Sequence, residues 1–395
     1  MPQHFLGNRL LIRAINRSTV LNTIKTQGSI SRSEIARITG LSAATVSGIS
    51  AELIRKGLIF EKAEGDSRGG RRPILLALNP RGGFVIGIKL MEDHAIGAIT
   101  DLETTIIAKN SEDLQNNSLE DVINTLINLV NTLLSRVDIS KEQLLGVGIG
   151  VAGIVDARNG VLRNSPFLGW KDVPLEDLLH SHFRVPVYID NDVNTLTLTE
   201  QLFGAGQGIE NFLVLTVGRG VGLGIVINGQ LYRGVNGGGG EFGHTVIDPN
   251  GVQCACGKNG CIEAYSSEPA LLRMAAEASS RGEIPQNIFT IEDLINIAND
   301  GNPIARSIFS QAGEKLGYGI ANLINILSPE VIIISGEGIR LGDLLFAPMK
   351  AEIDRHVMPG LVEDTEIRFD NWEDDAWARG AASLVLLELF KSPFE

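Results

Sequence analysis

The sequence has few cysteines and no long apolar segment, and each shortage excludes a class of protein. Only 3 of its 395 residues are cysteine, too few for the disulfide-rich scaffolds of small secreted domains. No apolar run approaches about 18 residues, the length that a membrane-spanning helix needs. The N-terminus MPQHFLGNRLLIRAINRS also lacks the continuous apolar core of a signal peptide. We therefore predict a cytoplasmic protein that does not enter a membrane, long enough to form two or three domains.

All three cysteines lie within one eight-residue segment, CACGKNGC at residues 254–261. A disulfide scaffold would spread its cysteines, and a disulfide across one intervening residue would be strained. Thiolates at Cys254, Cys256 and Cys261 can instead converge on one ion, with His244 as the fourth ligand. Four protein ligands leave no open position for a reacting water, so this set predicts one structural zinc per chain. The alternative left open is three free thiols in a loop.

The charge is distributed unevenly along the chain. Residues 1–80 contain 12 Lys and Arg against 5 Asp and Glu, whereas the remaining residues contain 22 against 42. A basic N-terminal segment on an acidic body predicts that the N-terminal segment contacts a polyanion and that the body binds something else.

Helix and strand signals in the first 80 residues predict a winged helix-turn-helix. RLLIRAINRSTVLNTIKTQ has apolar residues at helical spacing, and Ser31 with Glu34 forms a capping-box pattern before a short helix that Gly40 ends. A further helix follows a tight turn, with Ser42 as its N-cap. LIFEKAEGDSRGGRRPILLALN then predicts two strands around a Gly/Arg tip. Residues 1–80 are therefore predicted to be a DNA-binding domain.

The predicted DNA contacts lie at the start of the second helix of this motif and on the wing. Helix-turn-helix geometry places the start of that helix in the major groove, where small and hydroxylated side chains suit phosphate, thymine-methyl and water-mediated contacts. Arginines on a glycine loop suit a narrow minor groove. The predicted contacts are Ser42, Ala43, Ala44, Thr45, Ser47, Arg68, Arg71 and Arg72. Two alternatives are left open: a winged module that binds protein, and a wing whose charges are only solvated.

From about residue 82 the sequence alternates between strands and helices. FVIGIKL, LLGVGIGVAGIVD and VIIISG have the composition of buried strands, and LEDVINTLINLVNTLLSRV and DAWARGAASLVLLELF are helical. This order predicts an α/β body, residues 81–395, of two similar lobes with a cleft between them. We place the lobes at about 81–190 and 191–375, with the C-terminal helix 376–391 returning to the first lobe.

Polar residues at the end of one predicted strand mark a candidate binding edge. IDNDVN ends a strand with Asp190, Asn191 and Asp192 before a helix, and ligands of open α/β sheets bind at the carboxyl edge of the strands. Asp192 could take a proton from a substrate hydroxyl, or it could cap the following helix. The glycine loops GRGVGLG (218–224) and ISGEGIRLG (334–342) are of the kind that binds phosphate, although glycine hairpins are common.

Together these segments carry a resemblance to a known family. GVGLGIVINGQLYRGVNGGGGEFGH…CACGKNGCIEAYSS, with VYIDNDVN and LRNSPFLGWKDVPLEDLL before it, closely resembles the ROK family of repressors and sugar kinases over about residues 82–390. The resemblance implies an actin/hexokinase-like fold of two ribonuclease-H-like lobes. The winged module in front is similar to that of the family's repressor branch, which the kinases lack.

The resemblance also implies roles for individual residues. By position, Asn191 and Asp192 match the family's sugar-contacting asparagine and catalytic base, and the cysteine and histidine set matches its zinc ligands. The residues implied to contact a sugar are Asn164, Asn191, Asp192, Glu241, His244 and Glu263. With one imidazole nitrogen on zinc, the other is implied to be a fixed donor to a sugar hydroxyl. The zinc would then orient the wall of the pocket and perform no chemistry.

The nucleotide elements depart from the family pattern. Kinases of the family have an Asp-x-Gly-Gly-Thr turn that holds ATP phosphates, and the matching segment here is KLMED, residues 89–93. Lys89 replaces the aspartate, side chains replace both glycines, and two of the new side chains are carboxylates that repel phosphate. Arg219 replaces a threonine, and Glu337 enters the adenosine-side glycine loop. Altered nucleotide elements beside intact sugar elements predict a sugar sensor that is not an enzyme.

We therefore predict a transcriptional repressor of carbohydrate-utilisation genes that binds double-stranded operator DNA as a homodimer or homotetramer. A sugar or sugar phosphate is expected to change the angle between the lobes, and so the spacing of two DNA-binding domains, through its differential affinity for two states. Two alternatives are left open. One is an active ROK sugar kinase with a DNA-binding appendage, and the other is a regulator controlled by a protein partner, whose sugar pocket is vestigial.

Overall fold

The computed structural model describes residues 9–64, 73–139, 143–286, 288–370 and 375–390. The chain forms two compact units. The first contains the chain up to residue 153, residues 157–192 and the chain from residue 377, and the second contains residues 154–156 and 193–376. Each unit has its own five-stranded sheet.

The N-terminal part of the first unit is a small helical domain with a three-stranded sheet. Its elements are α1 (Arg9–Gln27), β1 (Ile30–Ser31), α2 (Arg32–Thr39), α3 (Ala43–Arg55), β2 (Ile59–Glu64) and β3 (Ile74–Leu78). β3 pairs antiparallel with both β1 and β2. Ile35, Val46, Leu53 and Leu76 are fully buried, so the apolar stripes of the helices and one face of the sheet form a common core.

The turn between α2 and α3 has a cause in the local sequence. Ser31 and Glu34 form the capping box, in which the hydroxyl of Ser31 accepts the backbone N–H of Glu34. Gly40 then ends α2 with a φ of 72°, a left-handed conformation that glycine adopts at little cost. The hydroxyl of Ser42 accepts the backbone N–H of Thr45 at 3.1 Å and so starts α3. The predicted winged helix-turn-helix is confirmed.

The remainder of the first unit is built on a mixed sheet. The elements that follow are β4 (Phe84–Leu90), β5 (His94–Thr100), β6 (Ile106–Asp113), α4 (Leu119–Ser135), β7 (Leu144–Val151), β8 (Ile154–Asp156, of the second unit), β9 (Val161–Ser165), β10 (Trp170–Val173), α5 (Leu175–Phe183) and β11 (Val187–Asn191). The strand order is β11-β7-β4-β5-β6. The first three strands are parallel, and β5 and β6 continue from β4 as an antiparallel meander.

The second unit repeats this topology. Its elements are α6 (Asp192–Phe203), β12 (Phe212–Val217), β13 (Val221–Ile227), β14 (Gln230–Leu231), α7 (Glu263–Ser266), α8 (Glu268–Ser280), α9 (Ile291–Asn299), α10 (Pro303–Leu327), β15 (Val331–Ser335), α11 (Asp343–His356) and β16 (Glu366–Phe369). The strand order is β14-β13-β12-β15-β16, with an antiparallel meander of three strands followed by two parallel strands. Two sheets of the same topology confirm the predicted α/β body of ribonuclease-H-like lobes.

The last helix, α12 (Asp375–Phe390), lies on the sheet of the first unit. A Cβ on Gly87 of β4 would meet the carbonyl of Ala378, and a Cβ on Gly148 of β7 would meet that of Ala381. The small residues on both sides therefore let the helix backbone approach the sheet closely. Within the described ranges, no helix combines the length and the apolar character that crossing a membrane requires.

Candidate functional site

The three cysteines and His244 meet at one point of the second unit. Their four ligand atoms all lie within 4.8 Å of one another. The Sγ atom of Cys254 is 3.6 Å from Nδ1 of His244, and the Sγ atoms of Cys256 and Cys261 are also 3.6 Å apart. Ligand atoms at the corners of a tetrahedron around zinc, with bonds of about 2.0–2.3 Å, are separated by about 3.5–3.8 Å. The donor set and its spacing therefore fit one zinc ion.

Backbone hydrogen bonds and left-handed glycines fold the cysteine loop into this arrangement. The N–H of Cys254 donates to the carbonyl of Lys258 at 2.8 Å, and the N–H of Gly257 donates to the carbonyl of Cys254 at 2.9 Å. Gly257 and Gly260 have φ values of 88° and 72°, which other residues adopt only with strain. A Cβ on Gly260 would also meet the carbonyl of Asp248. The glycines of CACGKNGC are what allow the thiols to converge.

The thiols of this cluster differ in their acidity. Burial raises the pKa of Cys254, and it raises the pKa of Cys261 to about 12. Burial also acts to raise the pKa of Cys256, but hydrogen bonds, from the backbone of Lys258 first, lower it overall. A bound divalent metal deprotonates the cysteines that coordinate it and so overcomes the high pKa of the buried pair. A cation that prefers thiolate and imidazole, as zinc does, suits this donor set.

Glu263, the first residue of α7, links the cluster of His244 and the three cysteines to the glycine turn after β12. Its Oε1 atom is 3.8 Å from Nδ1 of His244, and its Oε2 atom accepts the backbone N–H of Val221 at 3.1 Å. A Cβ on Gly220 would lie 2.9 Å from Oε2. The carboxylate is thus held from two sides while its side chain stays 21% exposed, so it has acceptor capacity left for a ligand.

Glu241 precedes a single turn of 3-10 helix, Phe242–His244. Glu241 is exposed, whereas Phe242 is buried and lies against Gly319 of α10, where a Cβ would meet its ring. Phe242 therefore anchors a segment with two residues that are predicted to contact the sugar, Glu241 before it and His244 after it.

Asn191 and Asp192 lie at the carboxyl end of β11, the edge that the sequence predicts. The side-chain amide of Asn191 donates to the carbonyl of Gly153 at 3.0 Å, and its backbone N–H donates to Oδ1 of the buried Asp190 at 2.8 Å. Asp192 is the first residue of α6, where the helix dipole favours a negative charge. Asn164, on β9, is exposed and lies opposite Lys171 of β10.

The residues that the resemblance assigns to a sugar are divided between the two units. The first unit holds Asn164, Asn191 and Asp192, and the second holds Glu241, His244 and Glu263. Within the second unit His244 and Glu263 are neighbours, and within the first unit Asn191 and Asp192 are consecutive. The grouping of all six into one pocket stays a prediction.

In the second unit, a carboxylate lies against the glycine turn that matches a nucleotide loop of the kinases. A Cβ on Gly218 would meet Oε2 of Glu337, the first residue of the short turn Glu337–Leu341 that follows β15. Arg340 of that turn pairs with Glu268 at 2.6 Å and with Glu292 at 3.3 Å. Glu337 and the two partners of Arg340 give this segment three carboxylates, and carboxylates repel phosphate.

The segment that matches the kinases' phosphate turn is also filled by side chains. Lys89 is only 8% exposed, and its Nζ atom lies 3.5 Å from the centroid of the Trp377 ring of α12. This is a cation–π contact. Sequence reasoning missed Trp377, as well as the Arg340–Glu268 pair, because each partner lies in a distant segment. A tryptophan among the small residues in the first half of α12 was the available signal for the former.

The predicted recognition helix has an accessible start. Ser42, Ala43, Ala44 and Ser47 are exposed, and Thr45 is half-buried. The hydroxyl groups of Ser42 and Thr45 lie 2.8 Å apart and form a hydrogen bond with each other, so these two side chains also stabilise the start of α3. The three wing arginines, Arg68, Arg71 and Arg72, lie outside the described residues.

Comparisons with known proteins agree with this organisation. Residues 85–388 match the ROK family and residues 15–69 match the MarR family. The chain is 33% identical over 396 residues to the xylose repressor of Caldicellulosiruptor bescii, which covers 98% of this chain and 99% of that protein.

Solved structures of both branches of the family are similar to this chain. A ROK family transcriptional regulator that is a homologue of the E. coli MLC protein has 27% identity and a TM-score of 0.85, covering 96% of this chain and 97% of its own. A ROK family glucokinase from Streptomyces griseus, in complex with glucose and AMPPNP, has 28% identity and a TM-score of 0.66, covering 76% of this chain and 99% of its own. The chain therefore belongs to the ROK family, among the members that carry a winged helix-turn-helix domain.

Proposed function

We propose that this protein is a sugar-responsive DNA-binding repressor of carbohydrate-utilisation genes. One observation carries the proposal: the second unit keeps the His244–Glu263 pair beside a metal cluster, while Glu337 puts a carboxylate against the turn that holds nucleotide in the kinases. A protein with this arrangement recognises hydroxyl groups but has no binding site for ATP. The winged domain and the near full-length similarity to a xylose repressor support DNA as the partner.

We infer that His244, Cys254, Cys256 and Cys261 hold one structural zinc per chain. When bound, the ion supplies rigidity and polarises the imidazole, without an open coordination position for catalysis. The 3.6 Å spacings and the chemistry of the donors support it. The consequence for the chain's own residues is that His244 is held next to Glu263, and both can then face a ligand in a fixed geometry.

We propose that the effector is a sugar bound by Asn164, Asn191, Asp192, Glu241, His244 and Glu263. The carboxylates accept hydrogen bonds from hydroxyl groups, and Asn191 both donates and accepts. The name of the relative from C. bescii makes xylose the first sugar to test, with its phosphate and common hexoses beside it.

The alternative of an active kinase rests on the retained Asp192 and on the similarity to a glucokinase. Against it stand Glu337 beside Gly218 and the buried Lys89, which contacts Trp377 where the kinases have the aspartate of their phosphate turn. We therefore propose that the protein is not an enzyme.

We propose also that it works in the cytoplasm as a homodimer or homotetramer, since a two-part operator needs two DNA-binding domains.

The deciding experiment measures operator binding against sugar concentration. Operator duplexes would be selected from random sequence with the full-length protein, and their Kd determined in the presence of xylose, glucose, N-acetylglucosamine and the corresponding phosphates. We expect one sugar to weaken DNA binding in a saturable manner. If none of these compounds alters DNA binding, the sensor proposal fails and the regulator controlled by a protein partner takes its place.

A second experiment tests the DNA-binding assignment. Arg71→Ala or Arg72→Ala should weaken operator binding and lower the salt slope by about one unit for each phosphate that is no longer neutralised. If these arginines enter a narrow minor groove, the loss should be greatest on A/T-rich flanks. Arg81→Ala, outside the wing, serves as the control. DNA binding that survives deletion of residues 1–80 would refute the assignment.

A further inference from the structure

Within the first unit, the winged domain contacts the end of the chain's last helix. The side-chain amide of Asn22 on α1 donates to the carbonyl of Phe390, the last residue of α12, at 2.8 Å. The Nζ atom of Lys25, one turn further along α1, lies 4.4 Å from the centroid of the Phe390 ring. Asn22 and Phe390 are 368 residues apart in the sequence, so the contact is made by tertiary packing alone.

The aromatic side of this contact is buried. Phe390 is buried, whereas Asn22, at the margin of the contact, is exposed. Burial also lowers the pKa of Lys25 to about 8, which means that the ammonium sits in a desolvated place although its side chain is long enough to reach solvent elsewhere. Asn22, Lys25 and Phe390 therefore join the ends of the two helices through a directional hydrogen bond beside a cation–π contact.

A second anchor joins the same two parts of the first unit near their covalent junction. Asn79, just after β3, donates from its backbone to the carbonyl of Leu58 at 2.9 Å and from its side chain to the carbonyl of Gly57 at 2.7 Å. The N–H of Leu102, in the turn between β5 and β6, donates to the carbonyl of Pro80 at 3.0 Å. The junction is thus tied to the winged domain on one side and to the sheet on the other.

Two separated anchors restrain the winged domain more than one would. A domain attached only at its junction can swivel about that point, whereas a second contact, made by the opposite end of its sequence, restricts the rotation to the axis that joins the two contacts. The helix that provides the second contact is itself held on the sheet, by the close approach at Gly87 and Gly148 and by the Lys89–Trp377 contact at its first turn. The two contacts therefore restrain the orientation of α3 relative to the sheet of the first unit.

We propose that the contact between α1 and α12 docks the DNA-binding domain on the body, and that Asn22 and Phe390 are positioning residues that set the half-site spacing two copies of this chain accept. The inference rests on the proposed function as a DNA-binding repressor. These residues act through the placement of α3 and not through contacts with DNA. Loosening the dock should leave the affinity for one half-site unchanged and should relax the requirement for a given separation of two half-sites.

The test uses the full-length protein and a two-part operator selected with the wild type. Kd is measured on that operator, on versions with one or two base pairs inserted at its centre, and on a duplex with a single half-site. Each inserted base pair turns one half-site by roughly 35° around the DNA axis, so a rigidly docked pair of domains should lose affinity about tenfold or more. Asn22→Asp, which removes the donor, and Phe390→Ala should bind the operator of native spacing less tightly than the wild type does. The inserted base pairs should reduce the affinity of these two variants little further.

Controls separate positioning from a general loss of structure. Thr26→Ala changes an exposed residue on the same helix and should keep the wild-type spacing preference. Phe390→Leu retains apolar packing and should restore part of the preference, while single half-site affinity should stay within about twofold of wild type for every variant. If Asn22→Asp and Phe390→Ala discriminate between spacings as sharply as the wild type, the inference is wrong although the repressor function stands. If the wild type selects no operator, the proposed function itself is wrong and the inference falls with it.

Discussion

The two glycines of the Gly218–Arg219–Gly220 turn lie beside carboxylates with opposite proposed roles. Gly218 faces Glu337, in the segment that matches the adenosine-side loop of the kinases. Gly220 faces Glu263, which is the neighbour of His244 at the metal cluster. A carboxylate beside a phosphate site repels its ligand, whereas a carboxylate beside a sugar accepts its hydroxyl hydrogens. In the proposed function the same functional group excludes one ligand and recognises another, two residues apart on a single turn.

The comparison also separates two ways in which a loop is held. On the Glu263 side, the cysteine loop is shaped by its own glycines and by four ligand atoms within 4.8 Å of one another. On the Glu337 side, the turn Glu337–Leu341 is held by ion pairs from Arg340 to Glu268 and Glu292, which lie on different helices. The first arrangement is the proposed zinc site and the second is held by ion pairs between distant segments, so each should respond to a different perturbation.

Removing a metal ligand should have the largest effect. Cys256→Ser or Cys261→Ser should reduce bound zinc from about one equivalent per chain to none, because three remaining ligands cannot close the tetrahedral site. The sugar response of operator binding should disappear with it, since His244 loses its fixed orientation. Elemental analysis of purified protein and an operator-binding titration check both. Asn250→Ala, an exposed change in the same loop, is the control, and a zinc-free variant with normal stability and sugar response would contradict the proposal.

Changing a sugar-side carboxylate should have the next largest effect. Glu263→Gln, Glu241→Gln or Asp192→Asn keeps the shape of the side chain while removing its charge, and a charge-assisted hydrogen bond contributes roughly 1.5–3 kcal/mol. Calorimetry should therefore show affinity for the effector reduced by about ten- to a hundredfold. Glu337→Gln is the matched control and should leave the sugar affinity unchanged. Equal losses for Glu263→Gln and Glu337→Gln would abolish the distinction between the two sides of the turn.

Substituting the glycines themselves should give a smaller difference. A Cβ at residue 220 would lie 2.9 Å from Oε2 of Glu263, closer than ordinary contact, so Gly220→Ala must displace the carboxylate. If moving the carboxylate costs about 1 kcal/mol of binding free energy, the sugar affinity falls roughly fivefold. Gly218→Ala would instead displace Glu337 and should not change the sugar affinity. The pair is measured by the same calorimetric titration, and a loss confined to Gly218→Ala would reverse the assignment of the two sides.

The smallest expected effect concerns ATP consumption, because we expect no kinase turnover. Sugar-dependent consumption of ATP by the wild type should equal that of Asp192→Asn, because a base has nothing to deprotonate productively where ATP is not bound. A coupled assay with a panel of hexoses and xylose measures it. Consumption above the Asp192→Asn background would favour the kinase alternative and would mean that Glu337 tolerates a phosphate beside it.

The local features of this protein follow from its sequence alone. The capping box at Ser31 and Glu34, the helix end at Gly40 and the N-cap at Ser42 each depend on atoms within a few residues, so the helix-turn-helix could be predicted from residue types and spacing. The metal set could be predicted for the same reason, since its ligands lie in one short segment whose glycines permit the turns. The α/β class of the body followed from the order of strands and helices, whereas its ribonuclease-H-like lobes were implied by the resemblance to the ROK family.

Only the tertiary structure determined the contacts between distant segments. Glu337 beside Gly218, Lys89 against Trp377 and Asn22 against Phe390 join residues from different elements, and no spacing in the chain encodes them. They arise because helices and strands pack to bury apolar surface, and a side chain at the edge of such a packing meets whatever the neighbouring element presents. The sequence thus determined which loops are preorganised, and packing decided which carboxylate faces which glycine and where the DNA-binding domain docks.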